Sequence, residues 1–212
     1  MRRSRAEVAS PLGVRLRAER DRRGLSLREL ARRLDVSPSL VSQIETGKIQ
    51  PSVRTLYAMV SELGVSLDEV FAGPDAASPG QREPQAAPPA SVQRGGESRV
   101  QRADSRQAIE FEQGVRWERL TTWNDRDVDF LFTVYEAGAA SCPAGNLVRH
   151  NGREFGIVLK GRLGVTVGFE EHVLDPGDSI SFDSTIPHRL HNDGDEVVNA
   201  IWVVLGRYHE SG

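Results

Sequence analysis

Hydrophobic residues recur with a helical period in the first third of this chain and alternate in its last half, and a single core cannot be built from both patterns. Between the two runs a stretch from Gly73 to about Arg106, containing P-D-A-A-S-P-G-Q-R-E-P-Q-A-A-P-P-A, in which no hydrophobic periodicity survives. That composition is typical of a flexible linker. A length of 212 residues leaves room for two compact domains on either side of it. The expected fold is multidomain α + β: a helical bundle over 1–73, a linker over 74–106 and an antiparallel β domain over 107–212.

The helical third carries its own punctuation. A first helix from about Leu12 to Arg23 is stopped by Gly24, and Ser26 with Glu29 forms a capping box that opens the second, which runs to Leu34. Ser37 and Pro38 are an N-cap and a first-turn proline for a third helix through Val41, Gln43 and Ile44, which Gly47 ends. Ser52 caps a fourth helix reaching Gly64, and Ser66 with Glu69 boxes a short fifth ending at Phe71. After the linker, Phe130 to Tyr135, Phe155 to Leu159, Leu163 to Val167, Ser179 to Phe182 and Val197 to Leu205 read as strands. Short turns such as Asp175-Pro-Gly-Asp178 join them, so a meander closing into a barrel or sandwich is expected.

Charge is divided unevenly. Residues 1–73 carry 13 basic and 9 acidic side chains, against 14 and 21 in 74–212, so a net +4 faces a net −7. A basic front half suits a polyanion. No apolar run is long enough to span a membrane, and the Arg-rich start lacks the apolar segment of a signal peptide, so no membrane role and a cytoplasmic location are expected. Cys142 is the only cysteine, which excludes an internal disulfide and favours a buried thiol.

The second and third helices are joined by only Leu34-Asp35-Val36, the tight joint of a helix-turn-helix. Ala31 supplies the small residue where the helices meet and Val36 the apolar residue of the turn, while Leu30, Val41 and Ile44 face the core. Asp35 is expected in a left-handed conformation, which Asp tolerates better than most residues. The stretch G-L-S-L-R-E-L-A-R-R-L-D-V-S-P-S-L-V-S-Q-I-E-T-G-K-I-Q-P-S resembles the helix-turn-helix of phage repressors and of the xenobiotic-response-element regulators, over about 60 residues. The resemblance implies double-stranded DNA as partner, with Ser37, Ser39, Ser42 and Gln43 at base edges in the major groove. Gln43 is the prime base reader, through its amide to adenine. Lys48, Arg54 and the capped amino termini at Ser26 and Ser52 are expected on phosphates. The resemblance also implies a buried ion pair between Arg20 and Glu45.

In the last half, H-N-G-R-E-F-G-I-V-L-K-G and the later P-G-D-S-I-S-F-D-S-T-I-P-H-R-L-H-N hold His150, Glu154 and His188, a ligand set suited to iron, zinc or manganese. His191 lies three residues beyond His188, on the opposite strand face, and is left out of the set. Trp202, Phe130, Phe132 and Tyr135 are candidates for a cavity lining. The two segments resemble the paired motifs of the cupin family across roughly residues 125–205. In that pattern the first motif begins with a histidine where this chain has Val148, so one of four usual ligands is missing. The resemblance implies either a two-His-one-carboxylate metal site or a cupin that binds no metal. The function expected is a homodimeric transcriptional regulator, whose cupin domain binds a small-molecule effector, one divalent metal, or both, and which is not an enzyme. The alternative is a non-haem iron oxygenase, since hydroxypropylphosphonate epoxidase resembles this chain in its domain order.

Overall fold

The computed structural model of the chain describes residues 11–71 and 99–206, apart from 124 and 126. Five helices come first: α1 (Pro11–Arg22), α2 (Leu27–Arg33), α3 (Pro38–Glu45), α4 (Val53–Leu63) and α5 (Leu67–Phe71). Strands follow: β1 (Ala108–Glu110), β2 (Val115–Arg119), β3 (Val128–Tyr135), β4 (Arg153–Lys160), β5 (Leu163–Val167), β6 (Glu170–Leu174), β7 (Ser179–Asp183), β8 (His188–His191) and β9 (Val198–Leu205). The basic tail at Arg2, Arg3 and Arg5 and most of the 74–106 linker lie outside the described residues. The described end of that linker includes a single 3-10 turn at Ala103–Ser105.

The helix boundaries follow from the side chains that satisfy the orphan amides of each first turn. Ser26 Oγ accepts from Glu29 N, Ser37 Oγ from Leu40 N and Ser52 Oγ from Thr55 N, each at 3.1 Å. Ser66 and Glu69 close a full reciprocal box, at 3.1 Å and 2.7 Å. At S-L-R-E only the serine side of the expected box is made, because Arg32 and Arg33, one turn on, take the Glu29 carboxylate. Asp35 is left-handed at φ 54°, as the tight joint requires. Leu30, Ala31, Val41 and Ile44 are buried, with α3 packed against both α1 and α2. Gly13 lets α1 and α3 touch at backbone distance, since a Cβ there would stand 2.3 Å from the Ile44 carbonyl oxygen.

The expected ion pair is present. Arg20 Nε and Nη2 donate to the two carboxylate oxygens of Glu45 at 2.7 Å and 2.9 Å, and both side chains are buried. Arg20 also reaches the Leu25 carbonyl oxygen at 2.8 Å, so one guanidinium fastens α1, the α1–α2 turn and α3.

The strands form two antiparallel sheets, ordered β1-β2-β3-β9-β4-β7 and β6-β5-β8. This corrects the expected meander: β9 inserts between β3 and β4, and β8 returns to β5, so sequence neighbours are often not sheet neighbours. Trp117, Leu131 and Ala200 of the large sheet and Leu163, Val165 and Leu190 of the small one share one buried cluster, consistent with a cupin jelly roll. Strand parity corrects a second expectation. Leu131, Thr133 and Tyr135 face inward, which turns Phe130 and Phe132 to the outer face, away from any internal cavity.

The two domains touch directly. Glu112 N donates to the Pro51 carbonyl oxygen at 3.0 Å, just before α4, and the Tyr57 ring packs on Trp117 with centroids 5.4 Å apart.

Gly156 sits opposite Trp202 in the β4–β9 ladder, and a Cβ there would lie 2.0 Å from the indole. The missing side chain is what lets the ring lie flat across β4. Gly156→Ala should therefore cost at least about 1–3 kcal/mol by overpacking, seen as a lower urea midpoint for the full chain. Glu45→Ala, which strands Arg20 in the bundle, should cost about 3–5 kcal/mol in the same measurement. A loss under about 1 kcal/mol would show that the pair is dispensable.

Candidate DNA-reading surface and metal centre

α3 is short and capped at its start; Val41, Ile44 and Glu45 bury one side of it against α1 and α2, which leaves its other edge facing out. Ser39 and Gln43 are exposed on it one turn apart, with Gln43 Nε2 donating to Ser39 Oγ at 3.3 Å, and Ser42 is half-buried beside them. Ser26, Ser37, Lys48 and Arg54 are also exposed, at the starts of α2 and α3, after α3 and in the first turn of α4. The Ser26 and Ser37 hydroxyls already serve as caps, leaving their oxygens partly committed to backbone amides. The helical domain thus exposes a polar helix edge, two cations and two capped helix starts, groups of the kinds that contact bases and phosphates.

The second constellation lies inside the β domain. His150 stands in the segment before β4, Glu154 is the second residue of β4, and His188 opens β8. Val148 and His188 pair as an isolated antiparallel bridge, which brings the two sequence motifs together. Alternation along β4 turns Glu154 inward, and its Oε1 lies 2.9 Å from His150 Nε2 and 3.0 Å from His188 Nε2. All three side chains are nearly inaccessible, and their potential ligand atoms lie within 4.8 Å of one another.

The orientation of each group is set by a neighbour. His150 Nδ1 is 2.9 Å from the Asn151 carbonyl oxygen and His188 Nδ1 is 2.9 Å from that of Ile186. A carbonyl only accepts, so Nδ1 donates and each ring turns its Nε2 to the centre. Trp202 Nε1 donates to Glu154 Oε2 at 2.6 Å, which fixes the carboxylate and leaves Oε1 facing the imidazoles. Burial pushes the Glu154 carboxyl up, but the two imidazoles outweigh it and hold the group well below the usual carboxylate range.

An imidazole lone pair aimed at a carboxylate repels it, so the cluster needs positive charge, either protons on the imidazoles or a metal cation among the three groups. Among the described residues His150 Nε2 and Glu154 Oε1 are buried without an aligned hydrogen-bond partner. The two spacings to Glu154 Oε1 are those of ligands on one ion: atoms about 2.1 Å from a common metal and at right angles to one another lie about 3 Å apart. These three residues would hold a divalent metal such as iron, zinc or manganese, which supplies a Lewis-acidic centre with open positions.

Next to the centre is a small cavity of about 20 Å³, lined by the buried residues Tyr135, Thr133, Ser141, Val148, Leu190 and Trp202 among others. Trp202 and Tyr135 thus take the lining role expected of them. Val148 occupies the place of the missing fourth ligand and contributes only an apolar wall. Burial, and then the Glu154 charge, push the Tyr135 phenol far up, so it lines the cavity as a neutral hydroxyl. His191 faces away and approaches Asp193 at 2.8 Å. Cys142 is buried, its thiol is pushed up by desolvation, and it donates to the Asn146 carbonyl oxygen at 3.0 Å.

Among the residues of this site that were not anticipated are two aromatics, Tyr57 and Trp117. Tyr57 comes from α4 of the helical domain, and its ring lies 4.5 Å, centroid to centroid, from His150. The only sequence signal was an aromatic on the buried face of α4, which core packing explains equally well.

Comparison with known proteins agrees with both halves. Residues 16–70 match the HTH_3 helix-turn-helix family and residues 131–204 the Cupin_2 domain family. The chain is 29% identical over 182 residues to the HTH-type transcriptional regulator PuuR of Escherichia coli, covering 85% of this chain and 86% of that one. It is 24% identical over 194 residues to the HTH-type transcriptional regulator SutR of the same organism, covering 91% and 93%. Among solved structures, an HTH_3 family transcriptional regulator from Vibrio cholerae superposes with a TM-score of 0.61 at 21% identity, over 93% of this chain and 96% of that one. With a reading helix on one domain and a jelly roll on the other, the chain belongs to the XRE-type helix-turn-helix transcriptional regulators that carry a cupin domain.

Proposed function

We propose that this regulator binds DNA as a homodimer, reads its operator through α3, and senses its signal through a metal held by His150, Glu154 and His188. The observation that carries the DNA half is the exposed Ser39 and Gln43 edge of α3, with Lys48 just after it and Arg54 in the first turn of α4 also exposed. Gln43 reads adenine, Ser37, Ser39 and Ser42 touch neighbouring bases, and Lys48, Arg54 and the α2 start at Ser26 hold phosphates. Among the described residues no helix is long and apolar enough to cross a membrane.

The outer face of the large sheet supports the dimer. In register, Phe130, Val203 and Phe155 form one row across β3, β9 and β4, and Phe132, Ile201 and Ile157 the next. Phe130, Phe155, Ile157, Leu159 and Leu205 are exposed large apolar side chains, a continuous patch of the kind that a second copy covers. Two copies joined there present two reading helices to half-sites about one helical turn apart.

The two-His-one-carboxylate set also favours a second reading, a mononuclear non-haem iron oxygenase. One experiment separates the two: selection of genomic fragments by the purified full chain at physiological salt, with bound metal assayed on the same preparation. A recurrent pseudo-palindrome supports the dimeric regulator. No enrichment, with about one iron per chain, supports the oxygenase.

Two substitutions test the residues. Gln43→Ala should cost about 1–3 kcal/mol on the selected site and leave non-specific binding unchanged, by titration of both fragments. Equal losses on both would remove Gln43 from base reading. His150→Ala should abolish stoichiometric metal by elemental analysis while the chain remains folded, and unchanged metal content would refute the triad.

A further inference from the structure

The roof of the metal cavity belongs to the DNA-binding domain. Tyr57, in the second turn of α4, lays its ring against His150 and Trp117, and Val53 one turn earlier lines the same cavity. Both are buried, Tyr57 to 8% and Val53 to 3% exposure. On its other side Tyr57 borders a cleft of about 1270 Å³ between the two domains, whose rim includes Arg33, Arg54 and Arg149. Tyr57, with Val148 and His150 beside it, therefore stands between the cleft and the small cavity that Glu154 and His188 line.

The cavity behind that wall holds about one water-sized group. An organic ligand coordinating the metal through two atoms does not fit unless the wall moves. α4 cannot lift by itself, because Leu56, Met59, Val60 and Leu63 of the same helix lie fully buried in the bundle core. The bond from Glu112 N to the Pro51 carbonyl oxygen ties the start of α4 to the β domain as well. Opening the cavity thus moves the helical domain, including α3.

Building on the metal reading above, we propose that α4 is the lid of the cupin site, held shut by Tyr57, so that an organic ligand on the metal and the docked position of the DNA-binding domain exclude one another. The ligand acts through its differential affinity for the open arrangement, which is the only way it can shift the equilibrium. Tyr57 is a positioning residue here, since it touches a metal ligand and not the metal.

The test uses the full chain with dyes on Arg32→Cys and Val173→Cys, both exposed positions in different domains, mixed with excess unlabelled chain. Native Cys142 is fully buried and does not compete for the dyes. Tyr57→Leu keeps apolar bulk in the bundle and removes the ring, and Tyr57→Phe keeps the ring. Interdomain energy transfer is measured on the metal-free chain, and release of bound Co(II) to EDTA on the loaded one; the chelator is an anion suited to the basic rim of the cleft. Tyr57→Leu should produce a low-transfer population and release Co(II) at least about tenfold faster, and Tyr57→Phe should match wild type in both. Unchanged transfer or unchanged release in Tyr57→Leu, with cobalt bound, overturns the lid. If wild type takes up no Co(II), the metal reading fails and the lid loses its ligand, while the transfer data still show whether Tyr57 docks the domains.

Discussion

A carboxylate shut inside a small β domain is the condition to which the rest of this half of the molecule answers. Glu154 is nearly inaccessible to solvent, and an unpaired charge there would cost several kcal/mol. Its neighbours remove that cost from several directions at once. Trp202 on β9 donates to one oxygen, and imidazoles from the segment before β4 and from β8 face the other. Gly156, two residues along β4, exists as a gap through which the indole reaches. The carboxylate therefore locks the large sheet, the small sheet and a connecting segment to one point, and the lone pairs it gathers are those a metal requires.

The helical domain solves a related problem with a different result. Arg20 and Glu45 are buried together and neutralise one another through two hydrogen bonds, so that pair is closed and has nothing further to bind. Its product is geometric. By fastening α1 to the end of α3 it sets the angle at which Ser39 and Gln43 leave the bundle, and Asp35 at positive φ sets the angle on the other side. One buried ionic cluster fixes a shape, and the other, whose partners all point inward, makes a place for a cation.

Local signals made the helical domain legible. Caps, stops and the three-residue joint are written within a few residues of where they act, so Ser26, Ser37, Ser52 and Ser66 located the helix starts, and the left-handed Asp35 was foreseen. The β domain was legible only in part. Long apolar runs such as β9 announced themselves, but β6, with Glu170, Glu171 and His172, looks like a polar loop because it is an exposed edge strand. The strand order was hidden because the pairing of β3 with β9 spans dozens of residues and leaves no local trace. The cluster of His150, Glu154 and His188 was visible as residue types, and parity separated His188 from His191. Tyr57 was not visible, because a residue that faces two domains carries the periodicity of only one.

Partition of one chain into a reader and a sensor invites the view that such modules can be exchanged among relatives. The contact between Tyr57 and His150 limits that view. Part of the wall around the His150, Glu154 and His188 cluster is encoded in the helical domain, so a change in the chemistry of that cluster constrains the sequence of α4, and a change in α4 reshapes the cavity beside the cluster. Hybrid regulators made by cutting in the linker inherit a reader whose helix was fitted to a different cavity. The heritable unit of response is then the pair of faces on either side of that ring contact, and the natural seam for recombination does not coincide with the stretch of chain that looks most like one.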